Sequence, residues 1–240
     1  MKEWKDAWII FAKDLRLDRM YLVWNLVFMI YTGVMMSTLF HSREEARAVM
    51  NPMADFLLLI LVPMVGFYFS RRSFNYIKED SYTKMLLHYR TLPIPDTTIM
   101  KSRLIQLATA IPLNSLILFT TVYFMFVAMG IKMGLAQYLA FVLTWIGYVL
   151  AMNGLYIYFE FMKKGRTYLW MMVLQLVVIA VGAFAVSWFD GNLLQWTLDY
   201  SERHALLSPV MWGTLVVGAV ILSIFCSITR RSLNKRDLAR

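Results

Sequence analysis

The side chains that could do chemistry are few and widely scattered. One cysteine, Cys226, sits near the end of the last apolar block, so no intramolecular disulfide forms and a metal-thiolate cluster has no ligands. His41, His88 and His204 fall in three separate polar segments. No His-Glu-x-x-His pair sets two imidazoles on one helix face, and no Gly-x-Ser-x-Gly turn lifts a nucleophile. No glycine is followed by lysine, so the phosphate-cradling loop of nucleotide hydrolases is missing. These patterns predict a chain with no catalytic residues, no metal and no cofactor of its own, unable to hydrolyse nucleotide alone.

Two carboxylates, Asp55 and Glu160, lie inside otherwise apolar blocks. An ionisable group at mid-membrane costs about 2.5 to 3.5 kcal/mol on insertion scales, and there it marks function. Both sit close to block ends, which points to structural or capping work, and the lack of several such groups at mid-depth argues against a proton relay. The uncharged polar residues Asn25, Gln106, Asn114, Thr144, Asn153 and Gln175 are suited to hydrogen bonds between helices. Asn25, Asn114 and Asn153 could instead line a substrate path, and the sequence leaves both readings open.

The elements that must position these groups follow from composition. Of 240 residues 60% are hydrophobic and 16% charged, and mean hydropathy is +0.57, whereas soluble domains carry about 25% charged residues. The class is therefore an all-α integral membrane protein. A hydrocarbon core about 30 Å thick takes roughly 20 apolar residues per helix, because unpaired backbone groups in lipid cost several kcal/mol each. Six spans are predicted, at about 20–40, 52–70, 104–128, 135–160, 167–189 and 208–229. The third and fourth are divided by Gly130-Ile131-Lys132-Met133-Gly134, a tight turn.

Basic residues orient such a chain, since cytoplasmic flanks hold an excess of Lys and Arg. With six spans, the two end segments and the second and fourth loops share one side. Only Arg43, Arg47, Lys132 and Arg203, of 24 Lys and Arg, fall on the other. Both termini are expected in the cytoplasm, and the net charge of +9 is a topology signal with no nucleic-acid partner implied. Residues 1–19 are charged throughout and lack the apolar region and cleavage site of a signal peptide. On a helix, Trp4, Trp8, Phe11 and Leu15 form one stripe, which predicts an interfacial helix lying on the membrane. Segment 190–207 interleaves Leu193, Leu194, Trp196, Leu198 and Leu206 with Asp199, Glu202 and Arg203, and reads as one or two short external amphipathic helices. Trp145, Trp170, Trp188 and Trp212 fit interfacial belts.

Segment 71–103 is the longest polar loop, too short for a domain and long for a connector. Glu79 to Leu87 reads as a short amphipathic helix ending before Thr91-Leu92-Pro93-Ile94-Pro95. Each proline pushes the residue before it out of helix, so Leu92 and Ile94 are extended. Asp96-Thr97-Thr98 then caps a helix that runs into the third span. The expected product is helix, stiff corner, helix, with Leu86, Leu92 and Ile94 displayed to a partner.

The run "KEDSYTKMLLHYRTLPIPDTTIMKSRLI", Lys78 to Ile105, resembles the cytoplasmic loop of bacterial ATP-binding-cassette exporter permeases of the ABC-2 kind. The resemblance covers an acidic pair, a Tyr, a Leu-rich turn, Leu-Pro-Ile and a basic helix start. It differs at Ser81-Tyr82, where the family often has Gly-Thr, and at Pro95-Asp96, where it often has Ser-Arg or Ser-Lys. The six-span plan, inward termini, N-terminal interfacial helix and amphipathic outer segment are similar to the family's over the whole chain. The resemblance implies a coupling helix between spans two and three, docked on a separate ATPase subunit that binds ATP and Mg. Glu79, Asp80, Tyr82, Met85, Leu86, Leu92, Pro93 and Ile94 would form the contact. It further implies a second permease copy or paralogue as partner, the bacterial cell membrane as location, and export of a hydrophobic or amphipathic peptide, lipid or drug. A membrane-embedded enzyme, a channel or an assembly scaffold is the alternative.

Overall fold

The computed structural model describes residues 2–39, 47–92, 94–233 and 236, and all regular structure among them is helical. Helix α1 (Lys2–Leu17) turns at Asp18 into α2 (Arg19–Leu39); α3 (Arg47–Leu61) tightens into a 3₁₀ turn, Val62–Gly66. After four non-helical residues, extended at Phe67 and Ser70, come α4 (Arg71–Glu79) and α5 (Ser81–Thr91), then α6 (Asp96–Ala128), α7 (Leu135–Met162) and α8 (Gly165–Trp188). Helix α9 (Leu193–His204), a 3₁₀ turn at Ala205–Leu207 and α10 (Pro209–Leu233) complete the chain.

Five of these helices, α2, α6, α7, α8 and α10, are long and apolar enough to cross a membrane, and the number is six if the bent pair formed by Met50–Gly66 and α4 counts as one span. The segment expected as the second span, 52–70, takes a bent form: the helix tightens from Val62 to Gly66, and α4 leaves at 106° to it. Its sequence explains the break. Pro63 has no N–H to donate to Leu59 O, so the regular ladder fails there. Ser70 then caps α4, its hydroxyl accepting from Ser73 N–H at 3.2 Å.

The core lies along α6 and α7, where Leu118, Phe119, Val122, Phe126, Phe141, Val149 and Ile157 are buried. The expected turn between these helices takes a defined form. Gly130, at φ +77°, follows the last helical residues of α6, and the N–H groups of Gly130 and Ile131 donate to Val127 O (3.1 Å) and Phe126 O (2.9 Å). This is a Schellman ending, whose left-handed position favours glycine. Packing is closest between α7 and α10. A Cβ on Gly218 would stand 2.0 Å from Gly147 O, so only hydrogens there let the two backbones touch. By contrast α8 presents Trp170, Val178, Val181 and Phe184 outward, and α10 presents Val216, Val217 and Val220. Such outer apolar surface is what lipid contact requires.

Candidate functional site

Helices α1, α4 and α5, the start of α6 and α8, and the ends of α7 and α10 gather at one end of the bundle. Within it α5 is a bar fixed from several sides. Asp80 is the joint between α4 and α5, at φ +47°, ψ +48°. Its Oδ1 accepts from the Gly165 N–H (2.9 Å), so its charge sits at the start of α8, and from Thr83 Oγ1 (3.0 Å). Arg72 on α4 forks onto Asp14 of α1, at 2.8 and 3.1 Å, and reaches the Met85 sulfur at 3.1 Å. Arg90 donates to Leu233 O (2.7 Å) and Arg236 O (2.9 Å), satisfying carbonyls at the end of α10. Arg236 in turn donates to Phe161 O at the end of α7 and to Thr83 Oγ1 (3.1 Å).

These ties decide which face of α5 looks inward. Tyr82, Thr83, Leu86 and Tyr89 are buried, and burial pushes the Tyr82 phenol above its ordinary value, keeping it neutral. Leu86 is only 1% exposed, so it packs into its own bundle and is not displayed as the sequence suggested. Met85 is half-buried against the same core. The outward face is Lys84, Leu87, His88 and Thr91, one stripe at helical spacing, and it continues into Leu92, which is 42% exposed. Sequence reasoning did not single out this stripe; its signal was the i, i+3, i+4, i+7 spacing of Lys84, Leu87, His88 and Thr91.

The expected helix start at Glu79 is also corrected. Glu79 closes α4 and is exposed, Asp80 is the hinge residue, and α5 begins at Ser81. Ile94 is half-buried against the core, and Pro93 lies outside the described residues. Pro95, not Asp96, stands at the N-cap of α6, with Asp96 in the first turn beside Arg90 (3.8 Å). From there α6 runs 33 residues, with Pro112 inside it. Near its start Arg103 pairs with Glu160 of α7 at 2.9 Å, with side chains 5% and 9% exposed, and the guanidinium lies 5.2 Å from the centre of the Phe67 ring. Glu160, read from sequence as structural, is thus one half of a buried ion pair.

The three asparagines come together at the broken helix. Asn114 Nδ2 donates to Val65 O (2.9 Å) and Phe67 O (2.7 Å), and its Oδ1 accepts from Asn25 Nδ2 (2.8 Å). Asn153 Nδ2 donates to Pro63 O (3.0 Å) and Val149 O (2.9 Å). Tyr148 supplies the bond that Pro63 cannot, donating to Leu59 O at 2.9 Å. All three asparagines are at most 2% exposed; the amides of Asn114 and Asn153 serve carbonyls at the 3₁₀ turn, and Asn25 holds Asn114 in place. A Cβ on Gly66 would lie 2.3 Å from the Asn153 amide, so the turn and that amide occupy one close-packed site.

On α1, Phe11 and Leu15 pack with Tyr68 and Ala110, while Trp4 and Trp8 are half-exposed. Glu3 of α1 pairs with Lys101, whose ammonium lies 5.3 Å from the centre of the Trp4 ring. Trp145 is buried among Phe141 and Tyr148, so it does not belong to an interfacial belt, whereas Trp170, Trp188 and Trp212 are exposed. Asp55 is fully buried, and its two oxygens accept from Leu193 N (2.8 Å) and Leu194 N (2.9 Å), capping α9. Among the described residues no three His, Cys, Asp or Glu side chains come together as a metal site would need. Comparison with protein-family models, with curated proteins and with solved structures finds no match to this chain.

Proposed function

We propose that the chain is the membrane permease subunit of an ATP-driven exporter of the ABC-2 kind. In this reading it spans the bacterial cell membrane six times, the bent α3–α4 pair included, with the α5 end in the cytoplasm. Two such subunits, identical or paralogous, pair and each docks one ATPase subunit, which supplies ATP and Mg. The cargo is hydrophobic or amphipathic, a peptide, lipid or drug, since mid-membrane charge is scarce.

The observation that carries the reading is continuity. A bar with an outward polar-apolar stripe is tied to α1, α7, α8 and α10, and a short corner joins it to a helix of 33 residues, about 50 Å long at 1.5 Å per residue. A push on Lys84, Leu87, His88 or Leu92 would therefore be passed to most of the bundle at once. ATP binding shifts the permease only in so far as the ATPase grips its two conformations with different free energy. The stripe on α5 is the surface where that difference would be applied. Glu79 and Leu92 would lie at the rim of the contact, while Asp80, Tyr82, Met85 and Leu86 would hold the bar to the spans.

The test uses the tagged full chain purified from native membranes. Leu87→Glu, at an exposed position, is expected to leave folding within about 0.5 kcal/mol of the parent, while vanadate-sensitive ATP hydrolysis in the purified fraction and export both fall at least tenfold. Deletion of Leu92 to Pro95 is expected to do the same. Undiminished ATPase capture and export in both variants would sink the proposal.

A further inference from the structure

Along the outer face of α10 runs an open groove of about 590 Å³, lined from Val216 to Arg231 by residues of that helix alone. One edge is the branched row Val216, Val220, Ile224 and Ile228, spaced by four and so stacked along one line of the helix. Ser223 and Ser227 lie beside that row, and their own line, at the same spacing, ends on Arg231. The groove is therefore apolar over most of its length and cationic at one mouth. Arg231 is free to serve a ligand. At the same end of the bundle Arg72, Arg90, Arg103 and Arg236 are each tied to a carboxylate or to backbone carbonyls. Arg231 is exposed and makes no hydrogen bond or ion pair among the described residues.

One turn deeper, Ser227 is in the same state. Ser223 Oγ donates to Ala219 O (2.7 Å), whereas the exposed Ser227 hydroxyl has no partner among the described residues. Ser227 and Arg231 are about 6 Å apart along the axis, and Ser227 and Val216 about 16 Å, at 1.5 Å per residue. Half of a hydrocarbon core about 30 Å thick is about 15 Å. The apolar stretch thus has the length of one leaflet's chain region, with a hydroxyl at its boundary and a guanidinium just beyond. A phospholipid carries acyl chain, ester carbonyl and phosphate in that order. The hydroxyl can donate to the ester, and the planar guanidinium can take two phosphate oxygens. The headgroup's charge is constrained as well. Helix α10 has no Asp or Glu, and Arg230 adds a second positive charge next to Arg231, so an ammonium headgroup meets repulsion there and no counter-charge on that helix.

The geometry points to a site for one anionic phospholipid, with its phosphate on Arg231, an ester carbonyl on Ser227 and one acyl chain along the edge from Ile224 to Val216. A second copy of the chain is a poorer occupant, since two-fold pairing through this face would set two unpaired Arg231 side chains against each other. The site is independent of the exporter reading. It needs only that α10, long and apolar enough to do so, crosses the membrane.

The test is native mass spectrometry of the delipidated full chain in mild detergent, titrated with dioleoyl-phosphatidylglycerol and with dioleoyl-phosphatidylethanolamine. Phosphatidylglycerol is expected to bind saturably and about fivefold or more tightly than phosphatidylethanolamine. Arg231→Gln is expected to remove that preference, Ser227→Ala to weaken binding about two- to fivefold, and Ser223→Phe, which fills the groove, to abolish it. Arg166→Gln at the exposed start of α8 and Val217→Phe on α10 outside the groove should leave both affinities unchanged. Binding that never saturates, that glycerol phosphate displaces, or that Arg231→Gln and Arg166→Gln weaken equally overturns the site. So does a Ser223→Phe chain that loses an oligomer yet keeps its lipid, which would give the face to a second copy. The Arg231→Gln result decides the matter even if Ser223→Phe fails to fold.

Discussion

Asp80 and Asp55 do similar work at opposite ends of the bundle, and the way each is supported separates the two ends. Asp55 is fully buried and takes the first two N–H groups of α9, Leu193 and Leu194, while the N-cap Asn192 takes that of Gln195 (2.8 Å). Further along α9, Gln137 Nε2 donates to Glu202 O (2.8 Å), and Leu194, Thr197 and Ser201 face inward. Asp80 is half-exposed and shares its load with Arg72, Arg90, Arg236 and a row of buried side chains. At one end the largest share of the load falls on one buried carboxylate, at the other it is spread over many ties. A carboxylate in a dry site is irreplaceable; one tie among several is not.

The sharpest way to break this comparison is at Arg103, where the α5 end has its own concentrated contact. Arg103→Met strands Glu160 as an unpaired buried charge, and about 3–5 kcal/mol of stability should be lost, read as a lower melting temperature in detergent. The double variant Arg103→Met with Glu160→Leu should regain most of that loss; if it does not, the pair is more than a mutual neutralisation. Next in size, Asp55→Asn should cost about 1.5–3 kcal/mol, because an amide offers one acceptor oxygen in place of two charged ones. Amide exchange at Leu193 and Leu194 should then quicken roughly tenfold or more, with no change at α5. The smallest effect belongs to Arg90→Ala. It removes one bond to the last residue of α10 and one to Arg236 O yet leaves the side-chain ties of Arg236 and Asp80, and about 0.5–1.5 kcal/mol should suffice to describe it. A loss from Arg90→Ala as large as that from Asp55→Asn would mean that the α5 end is no more distributed than the α9 end.

Much of the helix plan was legible because it depends on long-range averages of hydropathy. The block Thr167 to Phe189 carries no charge, and the helix that holds it, α8, runs from Gly165 to Trp188. The turn at Gly130 was legible for a local reason, since few residues other than glycine accept its φ of +77°. What failed was facing. Tyr82, Met85, Leu86, Leu87 and Tyr89 cover more than half of the circumference of α5, so apolarity alone could not say which arc faces the spans; Asp80, Arg90 and Arg236 settle it through partners far away in sequence. Helix α4 was missed because Arg71 to Glu79 reads as charged loop, although Ser70 was available as its cap. The meaning of the asparagines was hidden for a further reason. The partners of Asn114 and Asn153 are backbone carbonyls, which every sequence has, and only the interruption at Pro63 makes some of them needy. Pro63 itself was the readable clue.

The Asp55 contact also has a consequence in time. Its first partner, Leu193, is made 138 positions later in the chain, so at about 5–20 residues per second the ribosome leaves that carboxylate waiting roughly 7–28 s. Until then α3 enters its apolar surroundings without the hydrogen bonds that later make it comfortable, and a nascent chain halted before Leu193 never acquires them. Biogenesis of the first half of this protein is therefore finished only by the second.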